Sequence, residues 1–283
     1  MTVWIDGKLR TPDDAVVSVF DHGFTVGDGV FETVKLVAAV PVALTRHLRR
    51  LARSATALGL PAVDEEGLRR GIDAVLGTDQ VPDPARLRIT YTGGVAPLGS
   101  DRGDAGPTLV VALAPTRPWP PTAAAVMVPW ARNEHSAVTG VKTTSYAENV
   151  VALACARDRD ASEAIFANTQ GNLCEGTGSN VFAVYGDRVV TPPLAAGCLA
   201  GITRELLLEW ATDSAPAGVK SMEEADLPIR DLGGADEVFL TSATRDIQPL
   251  HSLDGRPLPG VAGPIARACS DLFTSRITTT PDP

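Results

Sequence analysis

The chain has 283 residues, which is enough for one large domain or two domains of ordinary size. A hydrophobic fraction of 44% with 21% charged residues is typical of a soluble globular protein with a large core. The net charge of −9 argues against nucleic acid or an anionic membrane as the main partner.

The sequence also argues against a membrane span, a secretion signal and a metal centre. No apolar run approaches the roughly 20 residues of a transmembrane helix, and the first residues lack a basic segment followed by an apolar one. The four cysteines and four histidines are dispersed, without the spacing of metal ligands. We therefore expect a cytoplasmic protein with free thiols and no bound metal.

The first long strand is predicted at residues 30–37, after a glycine-rich bend. By the two-residue period of a strand, Phe31, Thr33 and Lys35 share one face, whereas Glu32 lies on the other. Taken alone, this pattern is explained by packing.

Residues 44–60 predict the first helix, because apolar residues recur along one face and a glycine follows them. Thr45 is a candidate N-cap. His47 and Arg50, at positions i and i+3, share a different face. Taken alone, this pair is more typical of a solvated basic face than of an anion site.

Residues 85–92 alternate as a strand, which places Arg86 and Arg88 on the same face. A glycine-rich loop without periodicity follows at residues 93–106, and loops of this length within a domain are often functional. Arg102 on this loop is a candidate for a position over a substrate entrance. A plain surface loop explains it equally well.

A proline-dense stretch marks the predicted domain boundary. Its prolines make it stiff, as expected for a connector between domains. We predict an N-terminal domain at residues 1–115, a linker at 116–122 and a larger C-terminal domain at 123–283. Active sites favour such interfaces between domains.

Lys142 follows a short apolar-polar alternation, where we predict that a strand passes into a helix. Ser145 is a plausible N-cap for that helix. Val150, Val151 and Ala154 recur at helical spacing and are predicted to form its apolar face, to which Ala152 and Leu153 add. A lysine at such a junction can direct its amine into a cleft, although most lysines are simply solvated.

Glu175 lies among glycines and small hydroxyl residues, between strands predicted at 163–168 and 180–185. The glycines permit close approach of the backbone to a flat ligand. A lysine and a lone carboxylate suit pyridoxal phosphate, which needs an amine for its aldehyde, a carboxylate for its ring nitrogen and donors for its phosphate.

Three segments carry a more specific signal: Lys142 to Asn149, Glu175 to Phe182, and Gly201 to Arg204. Together they resemble the class IV aminotransferases, which are fold-type IV pyridoxal-phosphate enzymes. That family includes branched-chain aminotransferases, D-amino-acid aminotransferases and 4-amino-4-deoxychorismate lyases. The resemblance covers nearly the whole chain and implies a two-domain α+β or α/β fold, an active site between the domains, and a homodimer.

The resemblance also implies roles for individual residues around the cofactor. Lys142 corresponds to the lysine that holds the cofactor aldehyde and moves the substrate proton, and Glu175 to the partner of the ring nitrogen. Arg50 corresponds to a phosphate ligand, as do Ile202 and Thr203 at the start of a helix.

Further cofactor contacts are predicted with less support from the motifs. Tyr146 follows Lys142 by four residues, and we expect it one helical turn along, within reach of the ring or simply packed. Relatives often carry a threonine that donates to the phosphate where this chain has Ala243. Its backbone N–H could remain as a donor, and Ser242 is a candidate replacement for the lost hydroxyl.

The predicted substrate residues are Phe31, Lys35, Arg88 and Arg102. Phe31 stands where many relatives carry tyrosine, and Arg88 matches an arginine that supports recognition of the substrate carboxylate in branched-chain aminotransferases. D-amino-acid aminotransferases carry an arginine where this chain has Gly93.

These matches favour transamination between an L-amino acid with an apolar side chain and a 2-oxo acid. The main alternative is a 4-amino-4-deoxychorismate lyase that releases pyruvate and 4-aminobenzoate. A D-amino-acid aminotransferase and an (R)-amine transaminase are further alternatives. A non-catalytic binding protein of the same fold is disfavoured, because Lys142 and Glu175 are both intact.

Overall fold

Two groups of residues make most of their contacts among themselves in the computed structural model, which describes residues 1–78 and 81–283. Unit 1 comprises Met1–Pro118, Val141–Tyr146 and Pro281–Pro283, and unit 2 comprises Trp119–Gly140 and Ala147–Thr280. The segment that carries Lys142 thus groups with unit 1, whereas the sequence analysis assigned it to the C-terminal domain. Helices and sheets are mixed in both units, in agreement with the predicted α+β class.

Unit 1 is built on a six-stranded antiparallel sheet with the order β2-β1-β6-β5-β3-β4. Its strands are β1 (Thr2–Ile5), β2 (Lys8–Arg10), β3 (Gly29–Val37), β4 (Val40–Pro41), β5 (Ala85–Thr92) and β6 (Thr108–Pro115). The predicted strands at 30–37 and 85–92 are confirmed. They are also neighbours, because β3 pairs with β5 along its length.

The helices of unit 1 are α1 (His22–Thr25), α2 (Leu44–Ala57) and α3 (Glu65–Leu76). The apolar stripe of α2 includes Leu48 and Leu51, which are buried in one core with Val34 and Leu36 of β3. Burying this stripe is the main reason that α2 holds its position, since helices in proteins depend on such packing more than on intrinsic propensity. His47 and Arg50 are therefore fixed in direction by the packing of their helix.

The predicted N-cap of α2 is wrong. The residue before the helix is Ala43, which has a left-handed φ of 53° and no capping side chain. Thr45 lies inside the first turn, where its N–H and hydroxyl donate to the Asp282 carboxylate at 2.9 and 2.7 Å. The cap is thus supplied by a residue distant in sequence, and a carboxylate at this end also complements the helix dipole.

Unit 2 contains a nine-stranded mixed sheet. Eight of its strands follow the order β12-β11-β10-β13-β14-β7-β8-β9, and the ninth, β15, pairs with β14. Its strands are β7 (Ala123–Arg132), β8 (Glu163–Asn168), β9 (Leu173–Gly176), β10 (Asn180–Tyr185), β11 (Arg188–Thr191), β12 (Ser221–Glu224), β13 (Glu237–Ser242), β14 (Asp246–Leu253) and β15 (Arg256–Pro257). The predicted strands at 163–168 and 180–185 are confirmed.

The helices of unit 2 are α4 (Ala147–Arg157), α5 (Ile202–Asp213) and α6 (Pro264–Thr279), with short 3-10 helices at Leu194–Ala196 and Ile229–Gly234. The predicted apolar face of α4 is wrong for most of its residues. Val150, Val151 and Ala154 are exposed and Leu153 is half-buried, whereas Ala152 is buried as predicted, together with Asn149 and Ala156.

Ser145 is not the cap of α4 either. Its hydroxyl donates to the carbonyl of Gly27 in unit 1 at 3.0 Å, and the helix begins only at Ala147. The hydroxyl therefore stabilises the loop before the helix instead of the first turn.

Neither a membrane helix nor a metal-binding cluster is present in the described part of the chain. No helix within residues 1–78 and 81–283 is long and apolar enough to cross a bilayer. The same residues contain no group of three or more His, Cys, Asp or Glu side chains arranged to hold a metal ion.

Candidate active site

Lys142 lies in a loop of unit 1 that is hydrogen-bonded to the start of β3. The Phe31 N–H donates to the Lys142 carbonyl at 2.9 Å, and the Thr144 N–H donates to the Gly29 carbonyl at 2.8 Å. This loop, not the predicted junction between strand and helix, sets the lysine's position. The predicted helical turn between Lys142 and Tyr146 is also wrong, because both precede α4.

The amine of Lys142 lies against two aromatic rings. Its Nζ is 4.5 Å from the ring centroid of Phe31 and 5.9 Å from that of Tyr146. The two rings meet edge to face, with centroids 5.0 Å apart. Together they form an apolar wall with a cation-attracting surface beside the amine. Phe31 and Tyr146 are thus brought together with Lys142, as predicted for one site.

Arg88 lies on the same face of the sheet. Its guanidinium carbon is 3.3 Å from the Phe31 ring centroid, and burial lowers the pKa of the guanidinium to about 10. Among the described residues its hydrogen-bond partner is the Thr90 hydroxyl at 3.4 Å, and no carboxylate lies within ion-pair distance. A half-buried arginine without an acid is suited to bind an anion from outside the protein.

The other two cationic substrate candidates have different surroundings. Lys35 lies further along β3, and its neighbour on the adjacent strand β5 is the exposed Arg86. Arg102 donates to both oxygens of Asp28, at 2.7 and 2.6 Å, and to the carbonyls of Leu58 and Gly59 at the end of α2. These bonds hold the 93–106 loop against Asp28 and the end of α2, and a position of Arg102 over a substrate entrance stays a prediction.

The opposite face of β3 carries a buried charge cluster. Glu32 is fully buried and accepts hydrogen bonds from Arg50, at 2.8 and 2.7 Å, and from His47 Nδ1 at 2.7 Å. The bidentate bond from Arg50 fixes the direction of its guanidinium. The prediction that His47 and Arg50 share a helix face is confirmed, but that face is buried instead of solvated.

The pKa values of this cluster are shifted in a way that keeps Glu32 charged. Burial opposes ionisation of Glu32, yet the charge and hydrogen bonds of Arg50 and His47 hold the pKa of that carboxyl far below its usual range. Burial lowers the pKa of His47, and the nearby charges of Arg50 and Lys142 lower it further, against the opposing effect of Glu32. We conclude that His47 is neutral at pH 7 and donates one hydrogen bond to Glu32.

We expect the free energy of unfolding to fall on acidification because of this cluster. Both groups have folded-state pKa values below their ordinary values of 6.5 for His47 and 4.5 for Glu32. The unfolded chain therefore binds protons more readily than the folded chain. The full contribution of the two groups to the free energy of unfolding is present above pH 6.5. The contribution of His47 is lost as the pH falls below 6.5, and that of Glu32 as the pH falls below 4.5. A group whose pKa differs by one between the folded and unfolded chain changes the free energy of unfolding by about 1.4 kcal/mol.

Thermal unfolding midpoints measured between pH 8 and pH 4 test this expectation. His47→Asn should flatten the decline that begins near pH 6.5, whereas the same change at the exposed His135 should leave it unaltered. If the unfolding midpoint of His47→Asn fell on acidification as steeply as that of the wild type, other groups would be the cause of the decline.

Glu175 is held in unit 2 by a backbone hydrogen bond and an ion pair. The Leu199 N–H donates to its Oε2 at 2.9 Å, and Arg132 Nε lies 3.3 Å from its Oε1. The Arg132 guanidinium also stacks over Phe166 at 4.1 Å, which fixes its plane. A carboxylate oriented by a cation and a backbone amide is suited to accept a hydrogen bond from a protonated ring nitrogen.

The start of α5 is suited to bind an anion. Gly201 precedes the helix and supplies no capping side chain, so the first amides of α5 need acceptors from elsewhere. A Cβ at this position would collide with the Asn180 side chain, which donates to the Leu199 carbonyl at 2.9 Å. Glycine is thus required here, and the predicted phosphate ligands Ile202 and Thr203 begin the helix directly after it.

Ser242 and Ala243 lie at the turn between β13 and β14. The Arg245 N–H donates to the Ser242 hydroxyl at 3.2 Å, which fixes that side chain within the turn. The neighbouring Thr241 hydroxyl is buried and has no hydrogen-bond partner among the described residues. A buried hydroxyl without a partner is costly. Replacement of the missing threonine hydroxyl by Ser242 stays a prediction.

Sequence reasoning missed three groups that organise these sites. Glu32 carried a usable signal, because an acid on the core face of a strand requires a cation, and His47 and Arg50 were the nearest candidates. Arg132 and the Leu199 amide carried none, since both are brought to Glu175 by strand pairing and loop path alone.

Comparison with known proteins adds a family match. The sequence pattern of the amino-transferase class IV family matches residues 29–253. A Methanocaldococcus jannaschii protein that carries a provisional branched-chain-amino-acid aminotransferase name is 35% identical over 266 residues, covering 90% of this chain and 89% of its own length. The aminodeoxychorismate lyase of Bacillus subtilis is 28% identical over 284 residues, covering 97% and 94%.

Solved structures agree with this match. The branched-chain aminotransferase of Thermoproteus uzoniensis, crystallised with norvaline, superposes with a TM-score of 0.89 at 29% identity, covering 99% of this chain and 95% of that one. An aminotransferase of Mycobacterium tuberculosis in its pyridoxal-phosphate-bound form has a TM-score of 0.85 at 27% identity, covering 99% of both chains. The predicted fold type is therefore confirmed.

Proposed function

The chain belongs to the amino-transferase class IV family, and from this premise we propose that it is an aminotransferase that moves an amino group from an L-amino acid with an apolar side chain to a 2-oxo acid. The family consists of pyridoxal-phosphate enzymes, so the chain is an enzyme of that kind. The observation that carries the proposal is the half-buried Arg88, which has no acid partner among the described residues and lies with Lys142 against the ring of Phe31.

The described residues fit pyridoxal phosphate. Unit 1 supplies an amine beside an aromatic wall, and unit 2 supplies an oriented carboxylate and the uncapped start of α5. The buried Thr241 hydroxyl is a further polar group, and it has no hydrogen-bond partner within residues 1–78 and 81–283. We propose that Lys142, Tyr146 and Arg50 of unit 1 act on the same cofactor molecule as Glu175, Ile202, Thr203, Ser242 and the Ala243 amide of unit 2.

When bound, pyridoxal phosphate supplies an aldehyde that takes up amino groups and a ring that stabilises negative charge at the substrate α carbon. Lys142 Nζ holds the aldehyde between turnovers and moves the proton at the α carbon during them. Phe31 and Tyr146 exclude water from one side of the amine. The hydrogen bonds between the Lys142 loop and β3 hold the backbone from which the side chain extends, and proton transfer over a short distance requires such positioning.

Glu175 accepts a hydrogen bond from the ring nitrogen and keeps that nitrogen protonated. Its own direction is set by the Leu199 N–H and by Arg132. Arg50, held by the buried Glu32, donates to the phosphate together with the first amides of α5. These contacts prevent the ring from drifting while amino groups exchange.

Arg88→Ala is expected to lower kcat/KM by about 10-fold to 100-fold, which is the worth of a charge-assisted hydrogen bond to a substrate carboxylate. Arg86→Ala is the matched control, because Arg86 lies two residues away on the same strand but is exposed. We expect its kinetics to resemble those of the wild type. Steady-state rates over a range of amino-acid and 2-oxo-acid concentrations measure both effects. Equal effects of the two changes would rule out a specific role for Arg88.

A lyase is the competing function, and the relative from Bacillus subtilis that matches nearly the whole chain favours it. The same lysine and carboxylate serve both reactions, since each begins with removal of the α proton. Incubation with 2-oxoglutarate and a panel of L-amino acids, D-amino acids and aminodeoxychorismate separates them. We expect the fastest reaction with L-leucine, L-isoleucine or L-valine. Pyruvate release from aminodeoxychorismate without an amino acceptor would establish the lyase instead.

We further propose that the chain functions as a homodimer. An exposed apolar patch on unit 1 supports this, because such patches mark protein interfaces. The patch comprises Val16, Val17, Val19, Phe20, Phe24, Val26, Val95 and Leu98. Its two segments are neighbours, since the Ala96 N–H donates to the Phe20 carbonyl at 3.2 Å.

Light scattering coupled to gel filtration tests the dimer. We expect twice the chain mass of 29.6 kDa for the wild type and a shift toward the monomer for Phe24→Glu, because Phe24 is 72% exposed at the patch. Val261→Glu, at an exposed apolar residue of unit 2, should remain dimeric. A monomeric wild type, or a Phe24→Glu dimer as stable as the wild type, would contradict the assignment.

A further inference from the structure

We propose that Glu163 and Arg245 are positioning residues for the cofactor. Their buried ion pair joins the turn that follows Glu175 to the turn that carries Ser242. The contacts of unit 2 with the ring nitrogen and with the phosphate are thereby kept at a fixed spacing. This inference rests on the proposed function, because it concerns the same bound molecule.

Glu163 organises the turn between β9 and β10. It is the first residue of β8 and is fully buried. Its Oε1 accepts from the N–H groups of Thr177 and Ala164 at 2.9 and 3.1 Å, and its Oε2 accepts from the Ser179 hydroxyl at 2.9 Å. One carboxylate thus satisfies donors on both sides of the turn that begins directly after Glu175.

A glycine permits this close approach. A Cβ at Gly176 would collide with the Ser179 hydroxyl and would lie 3.1 Å from the carboxyl carbon of Glu163. The turn is also closed by a bond from the Gly176 N–H to the Ser179 carbonyl at 2.8 Å. Any movement of the Glu163 carboxylate is therefore transmitted to the residue that follows Glu175.

The same turn is tied to Glu175 by a second route. The Asn149 amide donates to the Thr177 carbonyl, and Arg132 Nη2 donates to Asn149 Oδ1 at 2.9 Å. Arg132 in turn lies 3.3 Å from Glu175. The carboxylate of Glu175 and the turn behind it are consequently connected through two hydrogen bonds and one ion pair.

Arg245 connects this set to the second turn. Its Nη2 lies 3.2 Å from Glu163 Oε2, and its backbone N–H donates to the Ser242 hydroxyl at 3.2 Å. Its Nη1 donates to Gln248 Oε1 at 2.6 Å, and its guanidinium stacks over Trp119 at 3.8 Å. The side-chain contacts fix the direction of the guanidinium toward Glu163, and the backbone N–H of the same residue holds Ser242, so that Arg245 connects the two.

The burial of the pair makes it sensitive to substitution. Arg245 is nearly inaccessible, and burial lowers the pKa of its guanidinium against the opposing charge of Glu163. Removal of the carboxylate leaves this cation without an ionic partner in a medium that solvates it poorly. The surrounding turns must then move, and displacements of about 1 Å are enough to impair a site by about 100-fold.

Equilibrium dissociation constants of the cofactor-free protein test the inference, with pyridoxal phosphate and phosphate-free pyridoxal as probes. Glu163→Gln is expected to raise the Kd for pyridoxal phosphate by about 10-fold to 100-fold, the range known for residues that orient a ligand contact from behind. The Kd for pyridoxal should change less, because pyridoxal does not need both turns at once. Arg245→Gln should have the same effects. The Kd of the double variant for pyridoxal phosphate should be no higher than that of the single variant with the higher Kd.

Glu237→Gln is the matched control. Glu237 is also a buried carboxylate of the same sheet, but it accepts from the Ile265 and Ala266 N–H groups at the start of α6, at 3.1 and 2.8 Å. It should lower the unfolding temperature without changing either Kd.

Two results would overturn the inference: a wild-type Kd for pyridoxal phosphate in Glu163→Gln, or equal weakening of both probes there. Failure of the wild type itself to bind pyridoxal phosphate would instead refute the proposed function, and this inference with it.

Discussion

Replacing Lys142 by alanine is expected to lower the rate of amino-group transfer by at least about 10⁴-fold, the upper range for loss of a positioned acid–base group. In the proposed mechanism the amine has two roles, since it holds the cofactor aldehyde and moves the α proton. The visible absorbance band of the lysine-bound cofactor should be lost as well. Single-turnover rates and absorbance spectra of the variant measure both effects.

Lys8→Ala is the matched control for this prediction. Lys8 is an exposed residue of β2 with no contact to the candidate site, so its removal should change neither the rate nor the spectrum. A Lys142→Ala variant that turns over at a rate near that of the wild type would contradict the assigned chemistry. Circular dichroism of both variants confirms that the fold is retained.

Replacing Glu32 by glutamine is expected to reduce the free energy of unfolding by about 3–5 kcal/mol, the cost of leaving a buried cation without its partner. Glu32 is fully buried and binds Arg50 through both carboxylate oxygens. Cofactor affinity should fall too, because Arg50 loses the group that sets its direction. Urea unfolding midpoints and a titration with pyridoxal phosphate give the two quantities.

Glu65→Gln provides the comparison for Glu32→Gln. Glu65 also pairs with an arginine, but this pair lies on the exposed surface of α3. Exposed pairs of this kind contribute only about 0.3–0.5 kcal/mol, so the unfolding midpoint should hardly change. Equal destabilisation by the two changes would mean that burial of the Glu32 cluster is not what makes it matter.

The strands were the most predictable part of the fold. A period of two residues is enough to assign faces, and it correctly placed Phe31 and Glu32 on opposite sides of β3. Packing then determined what each face meets: an amine and an arginine on one side, and a buried helix on the other. The two-residue period could not reveal which face of β3 is buried against α2, because that depends on the path of the chain between the two elements.

Helix caps and the face of α4 were less predictable, for physical reasons. The cap of α2 comes from Asp282, and no local pattern points to so distant a residue. In α4 the buried residues include Ala152 and Ala156, whose small side chains carry a weak hydrophobic signal. Val150 and Val151 dominated the pattern although both are exposed.

The residues of the candidate site could be proposed from the sequence, but their surroundings could not. Lys142 and Glu175 were proposed from their sequence neighbours, because pyridoxal phosphate requires those residue types. The groups that orient Glu175, the Leu199 amide and the cation of Arg132, come from separate strands and loops. The hydrogen bonds of Arg102 to Asp28 and Leu58 likewise had no sequence signal, because they join a loop to residues far along the chain.

Reduction of the cofactor-loaded protein with borohydride, followed by peptide mapping, tests the central claim most directly. The chain contains four lysines, Lys8, Lys35, Lys142 and Lys220, so the modified residue can be identified without ambiguity. The account predicts one pyridoxyl group per chain, on Lys142. A label on any of the other three lysines, or no label at all, would contradict it.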